Sequence, residues 1–291
     1  MAYRSQQLFD IKHRDTPRTA SDNKAYRTHG RWQSQHLRNN GAAVDPTILL
    51  LLTATAAAAG FIDAIAGGGG LLTLPALLMA GVPANQAIAT NKLQGAFGVA
   101  AASYSFHRAS QIDWKTLRPA IAGTAAGAAL GAVAIANLDA SWLRPIIPYA
   151  LVAAALYFAL APYLRPHAPR TALSAPAFAV GLAAPIGFYD GVFGPGAGSL
   201  YMLAFLAFAG IDLLAATART KVLNFTSNIV SLAIFTLSGH VNFAIGLPMA
   251  LGQAAGAWAG SHVALRHGGW IIRPLLVLTT SAAAIRLWMQ S

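Results

Sequence analysis

The sequence contains neither cysteine nor glutamate, and only 10% of its 291 residues are charged. Without cysteine, the chain has no disulfide, no thiolate nucleophile and no cysteine-ligated zinc or iron–sulfur site. Soluble domains carry roughly 25% charged residues. Here 56% of the residues are hydrophobic and the mean hydropathy is +0.51. The composition therefore predicts an integral membrane protein surrounded by a lipid bilayer.

The basic charge of the chain does not indicate a nucleic-acid partner. The formal net charge is +11, but beyond residue 46 the basic residues are spread singly over short loops, as the positive-inside rule predicts for a membrane protein. The histidines are not clustered as metal ligands would be, and no cofactor or metal is expected. The sequence also has no nucleotide-binding domain, which argues against primary active transport within this chain.

The first 46 residues form a polar, basic segment without apolar periodicity. This composition predicts a disordered tail, and the segment lacks the apolar core and the small-residue cleavage site of a signal peptide. We interpret residues 1–46 as a cytoplasmic extension or as residues added by a misplaced start codon. Asp45 followed by Pro46 then predicts the N-cap and the first turn of a helix.

Beyond the tail, apolar runs recur at the length of roughly 20 helical residues that crosses a bilayer. They predict an all-α polytopic helical bundle with about eight transmembrane helices. The predicted helices lie at residues 47–66, 88–106, 117–136, 143–162, 173–193, 219–237, 244–264 and 271–289. Two shorter runs, 71–80 and 198–209, follow glycine-rich breaks. We expect each to be a re-entrant half-helix whose backbone lines a buried or wet cavity.

The glycine-rich breaks belong to a motif that occurs twice. Residues 60–70 read Gly-Phe-Ile-Asp-Ala-Ile-Ala-Gly-Gly-Gly-Gly, and residues 187–198 read Gly-Phe-Tyr-Asp-Gly-Val-Phe-Gly-Pro-Gly-Ala-Gly. Each combines an aspartate with a break in an otherwise apolar helix. A duplicated, helix-breaking, acidic element at membrane depth is typical of the binding site of a transporter.

The correspondence between the two halves continues beyond this motif. Lys92 aligns with Lys221, and the register is then kept through the next two predicted helices. We infer two homologous repeats, residues 47–172 and residues 173–291, that together form one transport domain.

Two glycine series at four-residue spacing are predicted to serve packing. Four-residue spacing puts the glycines of each series on one helix face, where they let a neighbouring helix approach closely. The series are Gly123, Gly127 and Gly131 in the first half, and Gly252, Gly256 and Gly260 in the second.

The number of spans in each repeat decides how the repeats are related. Four spans and one re-entrant segment per repeat give parallel repeats, whereas five spans per repeat give ten helices and inverted repeats. The basic residues of the loops favour the first arrangement, because they then share a cytoplasmic face with the N-terminal tail. These residues are Arg108, Lys115, Arg118, Arg165 and Arg170.

Each motif contains one aspartate, Asp63 or Asp190. A charged residue at the centre of a membrane helix costs roughly 2.5–3.5 kcal/mol by insertion scales, so it usually faces the bundle interior and works with an ion, a proton or a partner. A low-dielectric site favours the neutral form of a carboxyl group, which lets it load and release a coupled proton. Alternatively, each aspartate positions the half-helix beside its break by accepting backbone N–H bonds. The two roles are compatible.

The glycines of the two breaks are candidates for anion binding. A short helix begins directly after each break, and its N-terminus offers unpaired N–H groups and the positive end of the helix dipole. Close helix packing is the alternative role. The substrate-binding candidates are Gly67, Gly68, Gly69, Gly70, Gly194, Gly196 and Gly198.

A third polar element follows each break on the next predicted helix. It contains a lysine together with amide and hydroxyl side chains, a combination that suits an oxyanion with several acceptor oxygens. Snorkelling of the lysine to the lipid headgroups is the alternative. The substrate-binding candidates here are Asn91, Lys92, Lys221, Asn224, Ser227 and Asn228.

The two motifs, with Thr-Asn-Lys downstream of the first and Lys-Val-Leu-Asn-Phe-Thr-Ser-Asn downstream of the second, resemble the TauE/SafE sulfite exporter family of bacterial membrane permeases. The resemblance covers roughly residues 47–290 and leaves the tail outside. It implies a multi-span permease of the bacterial inner (cell) membrane for a small anion, chiefly a sulfur-containing one such as sulfite or an organosulfonate.

We therefore expect a secondary transporter that moves sulfite, an organosulfonate or a related organic acid, held between the two breaks. Protons are a candidate coupling ion, and a homo-oligomer is compatible with the sequence. An uncoupled anion channel of the same fold is the main alternative. An enzyme is disfavoured because no nucleophile–base pair or metal ligand set lies at one depth. A scaffold whose polar motifs only pack helices is a third class.

Overall fold

The computed structural model describes residues 45–137 and 172–268, which are helical apart from short connections and contain no strand. The predicted tail up to residue 44 lies outside the described residues, as do the predicted helices at 143–162 and 271–289. The described part agrees with the predicted class, a helical membrane protein.

The described helices match the order of the predicted apolar runs. They are α1 (Pro46–Ala66), α2 (Gly70–Met79), α3 (Ala84–Arg108), α4 (Trp114–Ala136), α5 (Ala175–Val192), α6 (Ala197–Phe208), α7 (Leu213–Leu237) and α8 (Phe243–His267). Helix α5 contains one π-helical turn, Ala179–Ala183, which the sequence did not predict. The short helices α2 and α6 directly follow the two glycine breaks.

Four of the described helices, α1, α4, α5 and α7, are long and apolar enough to cross a membrane. Helices α3 and α8 have 25 residues each and also carry polar side chains into the interior of the bundle. Lys92 and Gln94 of α3 and Gln253 of α8 are all buried. The described helices therefore form a polytopic bundle with a polar interior.

Side-chain caps fix where helices begin. The Oδ1 atom of Asp45 accepts the backbone N–H of Thr47 at 2.7 Å, which confirms the predicted start of α1. Asp212 caps α7, so that this helix begins at Leu213. The predicted start at residue 219 is wrong, because a cap and not the thickness of a bilayer determines where the helix begins.

Helix α1 packs along α8, and α5 packs along α4, through the two predicted glycine series. A Cβ atom on Gly256 would lie 1.9 Å from the carbonyl oxygen of Ala57, and one on Gly127 would lie 2.0 Å from that of Ala184. No side chain fits at such a distance, so only glycine permits these contacts. The series therefore pack helices, as predicted.

The order of the glycine contacts gives the direction of the packed helices. The contacts ascend along both partners: Gly252–Thr53, Gly256–Ala57 and Gly260–Phe61 between α8 and α1, and Gly123–Ala179, Gly127–Ala184 and Gly131–Phe188 between α4 and α5. Two helices whose contacts ascend together run in the same direction. Helices α1 and α8 are therefore parallel to each other, and so are α4 and α5.

Helix α3 also runs parallel to α8. In the first part of both helices, the backbone N–H of Asn242, the N-cap of α8, donates to Thr90 Oγ1 at 3.1 Å. Further along both helices, a Cβ atom on Gly98 would lie 2.3 Å from Gln253 Cγ. Helices α1, α3 and α8 therefore share one direction.

Helix α2 turns back along α1 after the first glycine break. Gly67 and Gly68 have φ angles of 78° and 98°, in the left-handed region that glycine adopts without steric cost. A Cβ atom on Gly69 would lie 2.8 Å from the carbonyl oxygen of Ala59. Helices α1 and α2 thus form a helical hairpin with the glycine break at its tip.

Candidate functional site

The two glycine breaks lie against each other in the interior of the bundle. Ser199 Oγ, beside the second break, donates to the carbonyl oxygen of Ala66 at 3.0 Å. A Cβ atom on Gly67 would lie 2.8 Å from Ser199 N, and one on Gly70 would lie 3.2 Å from Pro195 Cα. The fold therefore brings together two motifs that are far apart in the sequence.

Two buried lysine–aspartate ion pairs flank the breaks, and each joins the two predicted repeats. Lys92 Nζ of α3 lies 2.5 Å from Asp190 Oδ1 of α5. Lys221 Nζ of α7 lies 3.3 Å from Asp63 Oδ2 of α1. Both lysine side chains are only 1% exposed, so neither snorkels to the lipid headgroups. Pairing offsets part of the cost of burying these charges.

The two aspartates have different further contacts. Asp63 Oδ1 accepts the backbone N–H of Gly69 at 3.0 Å, which ties the carboxylate to the start of α2, and Lys221 also donates to the Asp63 carbonyl oxygen. Asp190 instead accepts a hydrogen bond from Ser227 Oγ. Within the described part of the chain, contact with a helix start is thus found at Asp63 and not at Asp190.

Asn91 connects α2 to α3 and presents a donor to the first break. Its Oδ1 atom accepts hydrogen bonds from Thr73 Oγ1 at 2.6 Å and from Gln94 Nε2 at 2.7 Å. Its amide nitrogen lies beside Gly70, where a Cβ atom would be 3.4 Å from Nδ2. Because the oxygen is occupied, the N–H group is the part of Asn91 that a ligand can meet.

A cavity lies between the breaks, with about 40 Å³ of space for the centres of water-sized molecules, and both predicted repeats contribute to its walls. Most of the predicted site residues line it. These residues are Asp63, Gly68, Gly70, Asn91, Lys92, Asp190, Gly194, Gly196, Gly198, Asn224 and Asn228. The predicted residues thus surround one space in the fold.

Four predicted site residues do not line the cavity and instead support its walls. Gly67 and Gly69 shape the turn between α1 and α2. Lys221 and Ser227 hold Asp63 and Asp190 through the contacts described above.

Helices α2 and α6 each begin beside this cavity, and the first turn of each has a glycine whose backbone N–H group is unpaired in the described part of the chain. Gly70 and Gly198, in the first turns of these helices, line the cavity. Within the described part of the chain, their N–H groups have no hydrogen-bond acceptor. Two helix N-termini with unpaired N–H groups thus border one space, and the positive ends of their dipoles are opposed by the C-terminal ends of α1 and α5 at the same breaks.

Four further residues line the cavity that were not among the candidates. They are Gln94, Gly95, Val99 and Gln253. The side-chain oxygens of both glutamines, like that of Asn224, are buried without a partner in the described part of the chain. The Gln94 amide is oriented by its donation to Asn91, whereas either end of the Gln253 or Asn224 amide can face a ligand, because the orientation of an amide follows the hydrogen-bond network. A buried glutamine in an apolar helix was the available signal.

The matched sequences are membrane transporters by name. The family model described as sulfite exporter TauE/SafE matches residues 52–287. A probable membrane transporter protein, ORF9, of Sinorhizobium sp is 46% identical over 227 residues, which are 78% of this chain and 87% of that protein. The probable membrane transporter protein YfcA of Escherichia coli K12 is 42% identical over 248 residues, 85% of this chain and 92% of that protein.

A third relative, a probable membrane transporter protein of Haemophilus influenzae, is 39% identical over 218 residues, 75% of this chain and 86% of that protein. No solved structure matches the chain. The family match extends over both glycine breaks and all described helices except the first residues of α1.

Proposed function

The chain belongs to the sulfite exporter TauE/SafE family of membrane transporters, and from this premise we propose that it is a secondary transporter that moves a small anion across the bacterial inner membrane. The proposed anion is sulfite, an organosulfonate or a related organic acid. Family membership indicates a multi-pass membrane transporter with a small-molecule substrate, and not an enzyme.

One observation carries the proposal: two helix N-termini meet at one cavity in the interior of the bundle. Gly70 and Gly198, whose N–H groups have no acceptor among the described residues, line it together with Asn91 and Lys92. An oxyanion has several acceptor oxygens in a small volume, and donors that converge from different helices can satisfy them together. The midpoint between the breaks is therefore the proposed anion site.

Of the two candidate lysines, we assign contact with the anion to Lys92 alone. Lys92 lines the cavity, whereas Lys221 does not and is held by the carboxylate and the carbonyl oxygen of Asp63. A Cβ atom on Gly194 would lie 2.9 Å from Lys92 Nζ, so glycine at this position makes room for the ammonium group. Lys221 is proposed to position Asp63.

The directions of the helices favour inverted repeats. Helices α3 and α4 are joined by residues 109–113, which reach about 20 Å at most, less than a hydrocarbon core of roughly 30 Å. Helix α4 must then begin on the face where α3 ends and run back. Because α1 is parallel to α3 and α5 is parallel to α4, α1 and α5 run in opposite directions.

We therefore propose two inverted repeats, related by a two-fold axis in the plane of the membrane. Each repeat would begin with a helical hairpin, α1 with α2 in the first and α5 with α6 in the second. The chain of each hairpin would enter the membrane and leave it on the same face. Opposed hairpins that meet at mid-depth suit alternating access, because either face can open to the same central site.

Anion binding to the purified protein tests the proposed function. The thermal unfolding midpoint in detergent is measured with sulfite, sulfate, thiosulfate, methanesulfonate and acetate, with chloride at equal ionic strength as the reference. We expect at least one oxyanion to raise the midpoint in a saturable manner, since a ligand that binds only the folded state stabilises it. Uptake of that anion into proteoliposomes should saturate and show counterflow.

Two glycine variants localise the binding. A Cβ atom on Gly198 would lie 2.6 Å from Asn224 Nδ2, whereas one on Gly181 would contact nothing within 4 Å. Gly198→Ala is expected to abolish the stabilisation by the anion, and Gly181→Ala is expected to keep it. Flux without saturation or counterflow would identify an uncoupled channel. The absence of both binding and flux for every anion would contradict the proposal.

A further inference from the structure

The side chains of the candidate site carry no net charge. Lys92 and Lys221 are each paired with an aspartate, and no arginine or histidine of the described residues lines the cavity. The positive ends of α2 and α6 are offset by the negative ends of α1 and α5, which stop at the same breaks. A monovalent anion would therefore leave one uncompensated negative charge in a low-dielectric region, where such a charge is strongly disfavoured.

The two ion pairs differ in how tightly each aspartate is held. Asp190 lies 2.5 Å from Lys92, is 4% exposed, and also accepts from Ser227. Asp63 lies 3.3 Å from Lys221 and is 12% exposed. Its Oδ1 atom accepts the Gly69 N–H group, so among the described residues Oδ2 has only the longer contact with Lys221. Asp63 Oδ2 is thus the carboxylate oxygen of the site best placed to take up a proton.

Lys221 has a second partner that does not depend on the charge of Asp63. Its Nζ atom donates to the carbonyl oxygen of Asp63 as well as to the carboxylate. If the carboxylate became neutral, the carbonyl oxygen would still hold the ammonium group in place. Protonation of Asp63 would therefore leave one positive charge at the site.

We propose that Asp63 takes up one proton with each monovalent anion, so that proton and anion cross the membrane together without net charge movement. This inference rests on the proposed function. The proton passes from water in the open cavity to Asp63 Oδ2, and the anion binds against Lys92 and the helix N-termini. After the site opens to the other face, both return to water, and the Asp63–Lys221 ion pair forms again.

Other ionisable groups near the cavity do not replace Asp63. Among the described residues, the titratable side chains around it are Lys221 on α7, Lys92 on α3, Asp190 and Tyr189 on α5, and Tyr201 on α6. Both tyrosines donate their hydroxyl protons to neighbouring oxygens. Arg219 of α7 contacts Thr116. Helix α2 has no titratable side chain, and those of α8 are exposed in its last turns.

The coupling of proton and anion transport is tested in proteoliposomes. A pH-sensitive dye inside them reports proton movement, and potassium with valinomycin sets the membrane potential. Methanesulfonate and sulfite are used as anions. The measured quantity is the difference in proton movement between the wild type and Asp63→Asn. This difference leaves out the protons that bisulfite itself carries. In the wild type, we expect one proton per anion and a flux that is insensitive to the membrane potential. Asp63→Asn should move the anion without the proton and become sensitive to the potential.

Asp212→Asn is the matched control, because Asp212 is an exposed cap outside the cavity and asparagine also caps helices. This variant should keep both coupling and flux. Wild-type flux without proton movement, or proton movement retained in Asp63→Asn, would overturn the coupling. Absence of flux in the wild type with these two anions and with the other anions of the binding screen would contradict the proposed function instead.

A second measurement applies if Asp63→Asn is inactive. The affinity of the wild-type protein for methanesulfonate, a sulfonate that carries no proton of its own, is measured against pH. Uptake of one proton with the anion predicts an affinity that falls about tenfold per pH unit where Asp63 is charged before binding. An affinity that does not change with pH would overturn the proposal.

Discussion

Each buried lysine of the candidate site is neutralised by an aspartate from the other predicted repeat. A buried charge that loses its partner is much less stable than the intact pair, because it stays in a region of low dielectric without compensation. Substitution of one member of the pair Lys92–Asp190 or Lys221–Asp63 should therefore lower the stability of the bundle as well as change the charge of the candidate site.

Lys221→Met is expected to destabilise the protein by about 3–5 kcal/mol, because it leaves Asp63 buried without its cation. Combining it with Asp63→Asn should restore much of that loss, since the double variant buries no unpaired charge. The thermal unfolding midpoint of each purified variant in detergent measures this. A double variant no more stable than Lys221→Met alone would show that the pair is not energetically coupled.

The charged residues of the site could be predicted individually because charge is rare in this chain and Asp63, Asp190, Lys92 and Lys221 stand in duplicated positions. Their pairing could not, because each partner lies in the other half and tertiary packing alone decides which lysine meets which aspartate. Gln253 was overlooked because a single amide between packing glycines gives only a weak signal.

Among the helices, the glycine series determine which elements touch. The sequence predicted that these glycines pack helices, and the contacts of Gly127 and Gly256 bear this out. The identity of the partner helix was not predictable. Four-residue glycine spacing indicates that some helix packs closely against this face, but it does not indicate which helix. The π-helical turn in α5 likewise left no mark in the apolar pattern.

Gly256→Val should lower the stability of the bundle, because its Cβ atom would lie 1.9 Å from the carbonyl oxygen of Ala57. Overpacking typically costs about 1–3 kcal/mol, and here it must push α8 away from α1. Gly181→Val is the matched control, since a Cβ atom there meets nothing within 4 Å. Equal unfolding midpoints for the two variants would contradict the close contact between α1 and α8.

On the scale of the whole molecule, inverted repeats make a prediction that parallel repeats do not. Ala109 and Ser238 follow the ends of α3 and α7 at equivalent positions in the repeats. Because the natural chain has no cysteine, Ala109→Cys and Ser238→Cys report on topology without background. We expect a membrane-impermeant maleimide added to intact cells to label only the Ser238→Cys variant. Arg108 and Lys115 favour a cytoplasmic location for residue 109.

Both cysteines should react after permeabilisation, which controls for their accessibility. Labelling of both from the same face of intact cells would contradict inverted repeats. Because α1 is parallel to α8, Thr47 should lie on the face of Ser238, and Thr47→Cys should be labelled with it. This differs from the cytoplasmic tail expected from the sequence, which assumed that the tail shares a face with Arg108.

The packing of α1 on α8 also has a consequence for biosynthesis. The ribosome makes α8 about 200 residues after α1, which at 5–20 residues per second is a delay of roughly 10–40 s. During that time the glycine-tipped hairpin of α1 and α2 lacks α8, which packs along α1, and its buried Asp63 waits for Lys221 as well. We expect nascent chains stopped before α8 to be held by the insertion machinery or degraded, because the first half cannot complete its own interior.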